Sequence, residues 1–145
     1  MIETRLGTWG LAWTSAGLSG FRPTTAEACF APAPPWVREA AAILKRHLDG
    51  EPQDLSGIPL DLTGLSPFQC AVAEALRHTR GGTITYGDLA ALAGRPGAAR
   101  AVGRAVRDNP LLVLIPCHRV VGAKDNGGWS AFGSPEVKAR LMALD

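Results

Sequence analysis

The chain has 145 residues, 46% of them apolar, and 15 Lys and Arg against 13 Asp and Glu give a formal net charge of +2. That length supports one domain, or one domain with a small appendage, around a real hydrophobic core. No apolar run reaches about 18 residues and no secretory leader pattern opens the chain, so nothing suggests membrane insertion or export and a cytoplasmic protein is expected.

Trp9, Leu11 and Trp13 alternate as in a strand with one buried face, and Ser15-Ala16-Gly17 has the composition of a turn, so residues 2–22 read as a short hairpin. Four prolines, Pro23, Pro32, Pro34 and Pro35, make 23–35 a connection. Val37, Ala40, Ala41, Leu44 and Leu48 recur at helical spacing and predict a helix over 36–48, closed by Gly50 and Pro52. A short strand is expected over 58–62, followed by a domain boundary that divides the chain into 1–62 and 63–145. Ser66-Pro67-Phe68-Gln69 starts the next helix, with Ser66 as cap, Pro67 in the first helical position and Gln69 completing a capping box; Phe68, Val72, Ala75 and Leu76 form its apolar face and His78 tops its end. Two short helical patterns follow, over 83–94 and 98–109, and together they read as a helix-turn-helix. A buried strand, Leu112-Val113-Leu114-Ile115, then runs into Pro116-Cys117-His118-Arg119, and a closing helix over 136–144 turns Val137, Leu141 and Leu144 inward.

Charge is unevenly spread. Between Arg77 and Lys124 eight basic residues face two acidic ones, a net +6, and the remainder sums to −4. Such a split suggests a polyanion-binding half on an acidic scaffold, although a solvated helix face accounts for part of it. Within 98–109 the small residues Ala98, Ala99, Ala101, Gly103 and Ala105 alternate with Arg100, Arg104 and Arg107. Small side chains admit a backbone into a narrow groove and arginines hold phosphates; tight packing against the core explains the same small residues. Cys29, Cys70 and Cys117 are too few and scattered for a disulfide framework, and with His47 and His78 they lack metal-ligand spacing, so neither a metal nor a cofactor is expected. A lone cysteine is ordinarily a buried, inert one. Cys117 is set apart by His118 and Arg119, since a nearby imidazole or guanidinium lowers a thiol's pKa and only the thiolate is nucleophilic.

Pro116-Cys117-His118-Arg119-Val120, preceded by Asn109-Pro110, by Ala98-Ala99-Arg100-Ala101-Val102-Gly103 and by Thr85-Tyr86-Gly87-Asp88-Leu89-Ala90, resembles the O6-alkylguanine-DNA alkyltransferases. The match is close over 66–121 and looser beyond. The resemblance implies an α+β fold: a small, shortened N-terminal domain of hairpin and helix, then a mainly helical domain with the helix-turn-helix and an active-site cysteine turn. It implies a monomeric, single-turnover DNA repair protein that flips O6-alkylguanine out of duplex DNA through the minor groove and transfers the alkyl group irreversibly to Cys117. His118, acting through a water, removes the thiol proton, Tyr86 supplies a proton to the leaving guanine, and Asn109 is the hinge of the active-site turn. Arg100 fills the space the base vacates; Ala98, Ala99, Arg95, Arg107, Lys124 and Tyr86 belong to the DNA-binding surface. Tyr86, Val120, Trp129 and Ser130 contact the base.

Two places depart from the pattern. Aligning Val137-Lys138 with the family's closing helix puts Asp145 where a glutamate orients the histidine, and aspartate is one methylene shorter. In Trp129-Ser130-Ala131-Phe132-Gly133-Ser134-Pro135 bulk replaces a tyrosine and paired glycines, so methyl is expected to be accepted better than benzyl. These departures sustain an alternative, an alkyltransferase-like protein that binds lesions and flags them without efficient transfer. A helix-turn-helix transcription factor is a third reading, and it leaves Pro-Cys-His unexplained.

Overall fold

The computed structural model describes residues 1–25, 32–79, 81–122 and 135–144. At the N-terminus a three-stranded antiparallel sheet runs in the order β1 (Ile2–Thr4), β2 (Gly7–Trp13), β3 (Leu18–Pro23), with Ile2 opposite Trp9 and Leu11 opposite Phe21. Trp9 and Phe21, both fully buried, stack with ring centroids 4.9 Å apart and, with Leu18, carry the sheet into the core. The hairpin expectation therefore holds for β2 and β3, while β1 is an addition: only three residues long, it is too short to leave a periodicity.

α1 (Pro35–Leu48) packs against β1 through an amphipathic face that buries Val37, Ala40, Leu44 and Leu48. α2 (Pro67–His78) begins as its sequence signals: Gln69 N–H donates to Ser66 Oγ at 3.2 Å, and Ser66 N–H donates to Gln69 Oε1 at 2.8 Å. The strand expected over 58–62 shrinks to a single bridge between Leu60 and Leu18. Its backbone approaches so closely that a Cβ on Gly17 would stand 2.7 Å from the backbone of Pro59 and Leu60, which is why a glycine sits there.

The helix expected over 83–94 is shorter than its pattern. Ile84–Thr85 is a strand, β4, and α3 starts at Tyr86 and ends at Leu92, with Thr85 Oγ1 accepting from Asp88 N–H at 3.1 Å. β4 pairs in parallel with β5 (Val120–Val121), a partner 36 residues away at Ile84–Val120 that local periodicity cannot reveal. α4 (Ala99–Arg107) completes the helix-turn-helix by burying Val102 and Val106. α5 (Pro135–Ala143) turns Leu141 fully inward and leaves Val137 and Leu144 half-buried.

Leu112–Ile115 is not the strand its apolar run suggested. All four residues are buried, yet Leu112 N–H donates across to Phe21 C=O at 3.0 Å, Leu114 N–H to Leu112 C=O at 2.8 Å and Ile115 N–H to Leu111 C=O at 2.9 Å. The backbone groups are consumed in tight turns and in a join to β3, completed by Phe21 N–H donating to Pro110 C=O at 2.8 Å. An apolar run reports burial, not conformation. At its centre Val113 adopts φ of +72°, a left-handed backbone in a β-branched residue.

Two substitutions test these constraints by thermal unfolding. Gly17→Ala overpacks the 59–60 crossing and should cost about 2 kcal/mol, whereas Gly57→Ala, with open space around its Cβ, should stay within about 0.5 kcal/mol. At Val113, glycine should match or exceed alanine in stability, because both remove the two γ-methyls and only glycine accepts the positive φ without strain; alanine more stable by over about 1 kcal/mol, the ordinary advantage of alanine over glycine, would show that little strain is held there.

Candidate functional site

Between Asn109 and Cys117 every turn is clamped. The Asn109 carboxamide donates from Nδ2 to Ile115 C=O at 3.0 Å and accepts Leu111 N–H on Oδ1 at 2.9 Å, bridging the whole loop from within the core. Cys117 N–H donates to the same Ile115 carbonyl at 2.7 Å across Pro116, whose φ of −76° and ψ of 62° make a tight reverse turn. Cys117–Arg119 is a single 3-10 turn, closed by Val120 N–H donating to Cys117 C=O. The thiol is fully buried and His118 beside it is 1% exposed.

Burial pushes the Cys117 thiol up to about 12; a hydrogen bond with the Asn109 side chain, one with its own backbone and the charges of Lys138 and Arg22 pull the other way and do not compensate. The sequence placed Arg119 among the cations that acidify the thiol, and the structure corrects this: its Nη1 donates to Thr79 C=O at 2.8 Å and to Thr79 Oγ1 at 2.9 Å, tying the active-site turn to the end of α2. The cations that act on sulfur come from distant segments, Lys138 on α5 and Arg22 on β3, and sequence reading missed both. A lysine at a position of α5 that its neighbours' periodicity makes core-facing was the one available signal.

Tyr86 directly follows β4, which pairs with the strand that follows the Cys117 turn. Tyr86 lies against α4, where a Cβ on Gly103 would be 3.9 Å from its ring. On α4, Arg100, Arg104 and Arg107 are exposed, Ala98, Ala99, Gly103 and Ala105 are half-buried, and Ala98 leaves the helix start without a side-chain cap. Arg107 reaches Asp108 at 3.9 Å in full solvent, a pair worth little. Arg95 stands 5.0 Å over the ring of Phe68, which props the turn between α3 and α4. Val120 is buried, with its carbonyl taking a hydrogen bond from Lys138. Asp145, Lys124, Trp129 and Ser130 lie outside the described residues.

The structure thus gathers Cys117, His118, Asn109 and Val120 around one turn and sets the exposed arginines on the preceding helix. A groove of about 690 Å³ passes behind this turn, lined by His47, Glu74, His78 and Pro116 among others, and Cys117 is not part of it. A cavity of about 10 Å³ beside Cys117 and Asn109, between α2 and α4, is too small for more than a water.

Burial and the raised thiol make a direct prediction. Iodoacetamide at neutral pH should modify half-buried Cys70 and spare Cys117, and raising the pH to 9 should not bring Cys117 to the rate of Cys70; equal labelling by peptide mass would show an open, ionised thiol instead.

Residues 67–145 match the family model described as 6-O-methylguanine DNA methyltransferase, DNA binding domain. The methylated-DNA–protein-cysteine methyltransferase of Haemophilus influenzae is 38% identical over 125 residues, covering 80% of this chain and 69% of its own length. That of Mus musculus is 34% identical, covering 99% and 78%. Among solved structures, Mycobacterium tuberculosis OGT in complex with DNA superposes with a TM-score of 0.79 at 33% identity, covering 99% of this chain and 89% of the other.

Proposed function

The chain belongs to the 6-O-methylguanine DNA methyltransferase family, and we propose that it repairs DNA by moving the alkyl group of O6-alkylguanine, methyl above all, onto Cys117. The observation that supports the proposal is a buried thiol in a turn clamped by Asn109, with His118 next to it.

A base within the duplex cannot reach a buried thiol, so it must leave the stack, at about a few kcal/mol of lost stacking. α4 enters the minor groove on its small face, Ala98 and Ala99 leading, Arg100 fills the gap left by the base, and Arg95, Arg107 and Lys124 hold phosphates. The carbonyls of Cys117 and Val120 each keep a second lone pair for the guanine edge, with Ser130 N–H and Trp129 completing the pocket. His118, oriented by Asp145, takes the thiol proton through a water. The thiolate then attacks the alkyl carbon; the S–C bond forms as the C–O6 bond breaks, and Tyr86 O–H gives a proton to the departing guanine. The product is a thioether, which thiol exchange does not reverse, so each molecule acts once. We place this activity in a cytoplasmic monomer that needs no cofactor.

One observation favours a second reading, lesion binding without transfer: the Cys117 thiol is fully buried, and burial disfavours its ionised form. Incubation with duplex DNA carrying O6-methylguanine decides between them. Transfer adds one methylene to the Cys117 peptide, whereas tight lesion binding with an unchanged mass makes the protein a sensor. Cys117→Ala should abolish transfer and retain DNA binding. Arg100→Ala should slow transfer from duplex at least tenfold, about 1.4 kcal/mol, and an unchanged rate removes Arg100 from the flipping step.

A further inference from the structure

The turn between α3 and α4 carries an arginine whose backbone and side chain are both tied down. Arg95 N–H donates to Ala90 C=O at 2.9 Å, closing the end of α3, and Arg95 C=O accepts Ala98 N–H at 3.1 Å at the start of α4. The backbone is thereby held on both sides. Its guanidinium stands 5.0 Å from the ring centroid of Phe68, a residue in the first turn of α2. Phe68 is half-buried and packs against the core, which makes its ring a fixed platform.

The other arginines of this region are placed differently. Arg100 and Arg104 are exposed and have no ring, carboxylate or carbonyl partner among the described residues, and Arg107 lies 3.9 Å from Asp108 in solvent. Arg119 spends Nη1 on Thr79. A ring attracts a cation through its quadrupole, and that attraction leaves the N–H donors of the guanidinium for an oxygen acceptor. Phosphate oxygens are such acceptors, and the turn that holds Arg95 leads directly into the helix that carries Arg100 and Arg104. A long side chain loses rotamer freedom when it binds, and one already held in place loses less.

We propose that Phe68 is a positioning residue for DNA binding: its ring holds the Arg95 guanidinium at the turn of the helix-turn-helix, ready for a backbone phosphate. This rests on the reading of α4 as the helix that enters DNA. Part of the affinity for DNA is then set from α2, outside the helix-turn-helix itself. A cation–π contact at an exposed site shifts an equilibrium about two- to fivefold, and that sets the size of the effect. It is the same for every DNA sequence, because a phosphate carries no base identity.

The test measures binding of the full chain to unmodified duplex DNA by fluorescence anisotropy over a salt series, with melting temperatures alongside. Phe68→Leu, which keeps an apolar side chain on the core and removes the ring, should weaken binding about two- to fivefold, and Phe68→Tyr should stay within about 1.5-fold of the parent. Arg95→Gln should weaken binding and lower the slope of log affinity against log salt by about one; Phe68→Leu added to it should change nothing further. In the DNA-free protein, nitrogen relaxation at Nε should show Arg95 more ordered than Arg100, a measurement that needs no variant and stands if Phe68→Leu does not fold. Phe68→Leu at parental affinity, an equal loss with Arg95→Gln already in place, a tyrosine variant as weak as the leucine, or an Arg95 as mobile as Arg100 would overturn the proposal. A parent that binds duplex and takes no methyl from O6-methylguanine DNA removes the transfer reading alone; one that binds no duplex removes both.

Discussion

The active-site turn depends on the carboxamide of Asn109. A buried side chain that is both donor and acceptor holds Leu111 N–H and Ile115 C=O at once, the two ends of an apolar segment that pairs only part of its backbone within itself. Without it, the buried Leu111 N–H would stand open, at about 1–3 kcal/mol, and Ile115 C=O would lose one of its two donors. The same carbonyl of Ile115 receives Cys117 N–H, so the clamp that solves a folding problem also sets the position of the sulfur.

The clamp is reinforced from the other end of the chain. β3 joins Pro110 and Leu112 through Phe21, whose ring stacks on Trp9, so the N-terminal sheet braces the turn that carries Cys117. Arg119 ties the far side of that turn to α2. Rigid bracing of this kind permits a residue such as Val113 to hold an unfavourable backbone. It also keeps the thiol dry, and dryness raises its pKa. Shielding from stray electrophiles and readiness to react are thus in opposition, and the balance falls to the few polar groups admitted to the site.

How much of this was legible depended on the range of the interaction. The capping box at Ser66 and Gln69 read directly from four adjacent residues, and so did the amphipathic faces of α1 and α2. Pro-Cys-His, the Asn-Pro before it and the arginine-bearing helix stood out as local motifs along the chain. The misreadings share one cause. Ile84 and Thr85 continued a helical pattern and became a strand because Val120 and Val121 pair with them; 112–115 had a strand's composition and became a set of turns because Asn109 and Phe21 claim its backbone groups. Arg119 looked like the thiol's partner by adjacency and faces Thr79 instead.

The sequence by itself determined the inventory: where helices start, which residues are apolar enough to be buried, and that a Pro-Cys-His turn follows a small-faced helix lined with arginines. Those are properties of neighbouring residues, set by capping, periodicity and side-chain chemistry. Only the tertiary structure decided how the thiol is tuned, because burial and electrostatic fields belong to the assembled molecule. Arg22 and Lys138 lie 95 and 21 residues from Cys117 in the chain, yet theirs are the charges felt at its sulfur.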